Sequence, residues 1–184
     1  MNTWTLDSAH SQIEFAVKHM MVTTIRGQFR KFSVDVDFDE EQPDRSSIVA
    51  HIEASSIDTG MEARDAHLRS GDFFDAETFP ELTFRSTSIM AAGDGYRIDG
   101  DLTIRGVTRP VTLEAEIGGV VANLQGGRRA AFSAMTRISR RAWGLTWNVA
   151  LESGGFLVGD DIKVSIDVAV VQAEAAAAKT EVAA

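Results

Sequence analysis

The stretch Tyr96-Arg97-Ile98-Asp99-Gly100-Asp101-Leu102-Thr103-Ile104-Arg105-Gly106-Val107-Thr108-Arg109-Pro110-Val111-Thr112-Leu113-Glu114-Ala115-Glu116-Ile117 decides the fold. Tyr96, Ile98, Leu102 and Ile104 alternate with Arg97, Asp99, Asp101, Thr103 and Arg105. Further on, Val111, Leu113, Ala115 and Ile117 alternate with Thr112, Glu114 and Glu116. Side chains along a strand point to opposite faces in turn, so a period of two gives each segment one apolar and one wet face. Gly106-Val107-Thr108-Arg109-Pro110 reads as the link between the two strands.

The same period recurs on both sides. Ile13, Phe15 and Val17 alternate with Gln12, Glu14 and Lys18, and Ile162, Val164, Ile166, Val168 and Val170 with Lys163, Ser165 and Asp167. Residues 46–55, 81–89 and 130–139 are further strand candidates. Residues 23–38 contain a phase slip: Ile25, Gly27 and Phe29 share one parity, while Phe32, Val34, Val36 and Phe38 take the other. Either a β-bulge near Arg30-Lys31 bends one long strand, or two strands bury different faces. Turn signals stand at Glu40-Glu41-Gln42-Pro43-Asp44, Gly93-Asp94-Gly95, Gly118-Gly119, Gly126-Gly127 and Gly154-Gly155. Many alternating strands joined by short turns predict an antiparallel all-β fold, a barrel or a sandwich.

One segment breaks the pattern. Thr59-Gly60-Met61-Glu62 has capping-box spacing, with Thr59 as the N-cap. It predicts one short helix near residues 61–69, supported by an Asp65–Arg69 pair, ended by Ser70-Gly71, and laying Met61 and Leu68 against an end of the sheet. The 184 residues fit one domain, taken as residues 1–171; residues 172–184 form an Ala-rich tail without an apolar stripe, expected to be disordered.

Composition removes several function classes. At 44% hydrophobic the chain can bury a core, and its net charge of −9 repels phosphate backbones, so no nucleic-acid partner is expected. Cysteine is absent, which excludes disulfides, thiolate nucleophiles and zinc–sulfur sites. No apolar run approaches the roughly 20 residues of a membrane-spanning helix. Met1-Asn2-Thr3-Trp4-Thr5-Leu6-Asp7 lacks the basic segment and apolar run of a signal peptide, which points to a cytoplasmic protein.

Several blocks together resemble the YceI-like family. They are Trp4-Thr5-Leu6-Asp7-Ser8-Ala9-His10-Ser11 with Ile13-Glu14-Phe15, then Ser56-Ile57-Asp58-Thr59-Gly60, Arg64-Asp65-Ala66-His67-Leu68 and Asp72-Phe73-Phe74-Asp75 with Phe79-Pro80. Gly100-Asp101-Leu102-Thr103-Ile104-Arg105-Gly106-Val107-Thr108 and Arg140 with Trp143-Gly144 continue the match, from about Trp4 to Val171. The resemblance implies a lipocalin-like antiparallel barrel holding a long apolar chain: a polyisoprenoid, an isoprenoid quinone, or a fatty amide or acid. Many members are secreted to the periplasm, and the opening of this chain departs from them.

Catalytic readings fare worse. Asp7, His10 and Ser11 suggest a triad, but neighbours on an extended chain diverge, no nucleophile elbow is present, and an Asx-type turn accounts for the same residues. His10, His19, His51 and His67 lack metal-site spacing, His10 with His67 being the pair to inspect. No metal, cofactor or catalytic residue is therefore expected. The aromatic set Phe15, Phe29, Phe84, Phe132, Trp143 and Trp147 either fills a small barrel or lines a ligand cavity, and Gly27, Gly100, Ala115 and Ala134 on apolar faces would thin the filling.

The expectation is a single barrel of about eight strands that sequesters or carries an apolar ligand and is not an enzyme. Phe15, Val17, Phe29, Phe84, Leu102, Ile104, Phe132 and Trp143 are the candidate lining, with Glu14, Arg85, Thr103 and Arg105 facing solvent. Arg64 and His67 either meet a lipid headgroup or solvate and anchor the helix. An enzyme acting on an apolar substrate in the same cavity and a ligand-free stress or interaction module are the alternatives, and a homodimer stays open.

Overall fold

In the computed structural model, which describes residues 4–123, 126–152 and 154–172, the alternating stretch forms β8 (Gly95–Ile104) and β9 (Val107–Ala122). The link between them is tighter than the sequence suggests. Only Arg105-Gly106 turns, both at positive φ (49° and 73°), the two-residue geometry that matches the twist of paired strands. Pro110 sits inside β9 opposite Asp101, not before it. Its missing N–H is tolerated there because β10 (Arg128–Ser139) pairs with β9 only from Glu114 onward, leaving Pro110 a single neighbour. Gly118-Gly119 is likewise no turn. The two glycines lie opposite Ala131 as a bulge within β9, Gly119 at φ 93°.

The remaining strands are β1 (Thr5–Leu6), β2 (Gln12–His19), β3 (Thr23–Phe29), β4 (Phe32–Asp37), β5 (Ser47–Glu53), β6 (Ile57–Asp58), β7 (Glu81–Ala92) and β11 (Val158–Gln172). Every pairing is antiparallel, in one sheet ordered β4-β5-β7-β8-β9-β10-β11-β2-β3-β6, with β1 also on β11. The eleven segments join into eight long strands, because β1–β2, β3–β4 and β5–β6 are each one run with a break. The sheet curls on itself: Trp4, next to β1, bridges Val36 of β4 while β3 pairs with β6. The chain is thus an up-and-down, lipocalin-like barrel with one α-helix among the described residues.

The phase slip at Arg30-Lys31 is the break between β3 and β4, which lie end to end in one run but keep different partners. β3 pairs with β2 and β6, whereas β4 pairs with β5. The corner stays hydrogen-bonded, Arg30 N donating to Ser56 O and Glu53 N to Lys31 O. A break in one strand is therefore matched by the break at Ala54–Ser56 in its neighbour, and the barrel wall turns without stranding backbone groups.

The helix α1 (Glu62–Arg69) forms where expected, but its start differs. Met61 is the N-cap and is 55% exposed, so it does not pack against the barrel; Leu68 does. Thr59 makes no capping box. Its N–H (2.9 Å) and hydroxyl (2.5 Å) donate to the buried Asp65 carboxylate instead. Asp65 is therefore taken, and Arg69 reaches Glu62 and the Ser55 and Ile57 carbonyls. The reason is burial: a carboxylate inside the fold needs donors more than an exposed one near a helix end does. β11 takes in Gln172, and the Ala-rich tail beyond it lies outside the described residues.

Candidate ligand-binding site

The barrel's two ends differ. One carries the β7–β8 turn, the β4–β5 connection and the β9–β10 hairpin; the other carries α1, the β8–β9 turn and the segment from Arg140 onward. Two apolar cores follow this division. The first holds Trp4, Val34, Ala50, Phe84, Ile98, Leu113 and Ala115, and the second Ile13, Phe29, Ile57, Leu82, Ile104, Trp143 and Leu145.

An apolar cavity of about 160 Å³ lies within the first core. An apolar void of this size stays dry and takes up small hydrocarbons. It leads to a more polar mouth, the two sharing Phe38, Pro43, Tyr96, Glu116 and Ile117. Glu40, Asp94 and Arg128 complete the rim, and the Arg128 guanidinium holds the Glu40 carboxylate with two nitrogens, tying the β9–β10 hairpin to the β4–β5 connection. Phe38 stands edge-on between Trp4 (6.0 Å) and Phe132 (5.1 Å), where cavity and mouth meet.

The eight residues singled out from the sequence divide between the two levels. Phe84, Leu102 and Phe132 line the cavity. Phe15, Phe29, Ile104 and Trp143 lie in the second core instead, Phe15 against Phe29 (5.9 Å), Phe29 against Phe74 (5.8 Å), and the Trp143 indole N–H bonded to Leu102 O (3.0 Å). Val17 is half-buried on β2 and in neither core. Large aromatics fill the cross-section of a small barrel, so the space appears where small residues face inward. Those are Ala50, Ala115 and Ala134, which with Val34, Ile48, Ile89 and Ile98 make up much of the wall. Ala115 and Ala134, opposite one another on β9 and β10, thin the filling as expected. Gly27 and Gly100 do not: a Cβ at either would fall 2.4 Å from the Phe15 or Phe84 ring, so each glycine lets a phenyl ring lie flat on the sheet. Of the four residues expected to face solvent, Glu14 and Arg85 are exposed, Thr103 and Arg105 partly so.

Arg64 and His67 sit at the opposite end from the mouth. Arg64 donates to Thr59 Oγ1 (2.6 Å) and Thr59 O (2.9 Å). His67 Nε2 pairs with Asp72 (2.8 Å), its ring edge-on to Phe73 and Trp147. Both are anchoring contacts of the helix end.

The Asp7, His10, Ser11 group is a local turn. Asp7 accepts from Ala9 N (3.2 Å) and pairs with His10 Nδ1 (2.9 Å) and Arg129 (2.7 Å). Ser11 Oγ donates to Asp7 O (2.7 Å) and accepts from Ala169 N (2.9 Å), stitching the β1–β2 break to β11. Among the described residues no group of three acidic or histidine side chains could hold a metal ion. Burial of the Asp7 carboxyl would raise its pKa, but the His10 hydrogen bond and the charges of His10 and Arg129 outweigh it and hold the value below the usual range. Such a group stabilises the fold fully above the unfolded pKa, roughly 3.9, and loses that effect as pH falls through the folded value. Asp7→Asn is accordingly expected to lower Tm at pH 7 and to match wild type in strong acid; a Tm difference that does not narrow in acid would refute this assignment.

The model of the YceI-like domain matches residues 4–170. A UPF0312 protein of Staphylococcus aureus (strain USA300) is 40% identical over 164 residues, covering 89% of this chain and 94% of its own. The crystal structure of Burkholderia cenocepacia BcnA superposes with a TM-score of 0.76 at 28% identity, over 89% of this chain and 98% of that one. A polyisoprenoid binding domain from Saccharophagus degradans has a TM-score of 0.63 at 14% identity, over 92% and 98%, a likeness of fold. No helix among the described residues is long and apolar enough to cross a membrane. With matching fold, matching blocks and a match spanning nearly the whole described chain, the protein belongs to the YceI-like family.

Proposed function

We propose that this protein binds an isoprenoid or other long apolar chain in its barrel and sequesters or carries it, in the cytoplasm and without transforming it. The observation that carries the reading is the cavity, whose walls are largely apolar and whose charged groups gather at the mouth. Burying a methylene is worth about 0.8 kcal/mol, so a few isoprene units give useful affinity before any headgroup contact. The polyisoprenoid binding domain that shares the fold supports the ligand class. Phe84, Leu102 and Phe132 are the proposed contacts; Arg64 and His67, held at the far end, fit a structural role. An enzyme would need convergent titratable groups inside the cavity, and Glu116 near its mouth is the single carboxylate on the wall. Native mass spectrometry of the protein as purified is expected to reveal a bound apolar molecule, or stoichiometric uptake of added farnesol. Protein that takes up no apolar chain under any condition would end this reading.

A further inference from the structure

The cavity ends part-way along the barrel. Its deepest wall residues are Ile13 on β2, Ile52 on β5, Leu102 on β8 and Val164 on β11. The next inward residues toward the far end, Phe15, Ile104 and Ile162, take no part in it. Beneath that ring the cross-section is filled. Phe29 packs between Phe15 and Phe74, and Trp143, 3% exposed, is fixed to the Leu102 carbonyl. The filling is pinned by the Trp143 hydrogen bond and the aromatic contacts of Phe29, and cannot slide aside as one flexible side chain would. From this geometry we propose that the ring at Leu102 is a floor that sets ligand length: Leu102 and Ile13 are specificity-determining residues, and tails beyond a set length gain nothing by being longer.

This inference rests on the carrier reading and sharpens it. From Tyr96 at the mouth to Leu102 at the floor the wall runs six residues along β8, which is ~20 Å of strand or roughly 15 Å of barrel axis at the usual tilt, about three isoprene units in cavity and mouth together. A longer tail must leave its excess in water at the mouth. Until then each added unit buries new methylenes; afterwards it buries none.

The test is a titration of geraniol, farnesol, geranylgeraniol and a longer prenol against the full chain. Affinity is expected to rise at least about tenfold from geraniol to farnesol, then change less than about threefold for the longer prenols. Leu102→Ala should move the break one unit longer. Should that variant fail to fold, judged by circular dichroism, Ala134→Leu reaches the same question from the other side: it narrows the cavity above the floor and should move the break one unit shorter. A wild-type series that keeps climbing by the same factor, or a break that neither folded variant moves, overturns the floor while leaving the carrier reading intact. Failure of every prenol to bind overturns both.

Discussion

Ala134→Phe is expected to weaken farnesol binding by at least about 30-fold and to leave Tm unchanged or raised. Ala134 lines the cavity, opposite Ala115 on β9 and Ile166 on β11, with free space in front of it. A phenyl ring there displaces about three methylenes of a bound tail, and at about 0.8 kcal/mol each that is somewhat more than 2 kcal/mol. The same ring fills a void, which ordinarily stabilises a core. Opposite signs for binding and stability are what separate an empty site from a packed one. Glu14→Gln, on the exposed face of β2, should change neither. Isothermal titration with farnesol and thermal denaturation of both variants check this. Undiminished binding in Ala134→Phe would place the ligand outside the lumen, and a large fall in Tm would mean that no space is there to fill.

The second large effect is on stability. Arg140, 5% exposed, sends Nη1 to Leu145 O and Trp147 O (3.0 Å), Nε to Gly159 O (2.9 Å) and Nη2 to Val158 O (3.4 Å), with Asp160 at 3.2 Å. Burial pulls the guanidinium pKa down; Asp160 opposes this and Arg141 adds to it. Arg140→Met keeps most of the packing volume but strands those carbonyls, while the half-exposed Asp160 carboxylate keeps Arg141. The expected loss is about 3–5 kcal/mol, a fall in Tm of about 10 °C or more. Arg140→Lys should recover only part of it, since an ammonium cannot present the planar fork that reaches carbonyls on both strand and loop. Arg141→Met is the control. That side chain is exposed and bonded to Asp160, so its loss should cost below about 1 kcal/mol. Equal, small losses at both positions would show that the cage does not hold the loop.

How much of this was legible in the sequence depends on what each signal measures. Alternation reports which face of a strand is dry, and the strands it read over residues 12–18, 96–105 and 162–170 fall within β2, β8 and β11 except for Arg105, which lies in the turn. It carries no information on depth along the barrel axis, since inward residues at both levels are equally apolar. Phe15, Phe29, Ile104 and Trp143 therefore looked like lining and belong to the filling. The better signal was residue volume, Ala50, Ala115 and Ala134 recurring on inward faces. Gly118-Gly119 and Pro110 looked like punctuation because bulges and one-sided strand segments tolerate the same residues as turns. Asp65 was assigned to an exposed pair because nothing local marks a carboxylate as buried; its donors come from Thr59, before the helix.

The sheet's manner of closing bears on how the chain folds. β11 is laid between β10 on one side and β1 and β2 on the other, and Thr5 lies opposite Val171. Every pairing of β11 with β1 and β2 joins residues nearly a whole domain apart, so it can form only after the meander from β7 to β10 has brought the two termini of the barrel together. Such non-local pairing is slow to nucleate, with folding times in the range of milliseconds to seconds for domains of this kind. Until β11 arrives, a sheet with two free edges and an uncovered apolar face is exposed to other copies of itself. During synthesis, when residues 158–172 are the last of the barrel to emerge, the ribosome-bound chain passes through that open state and is most exposed to misassembly there.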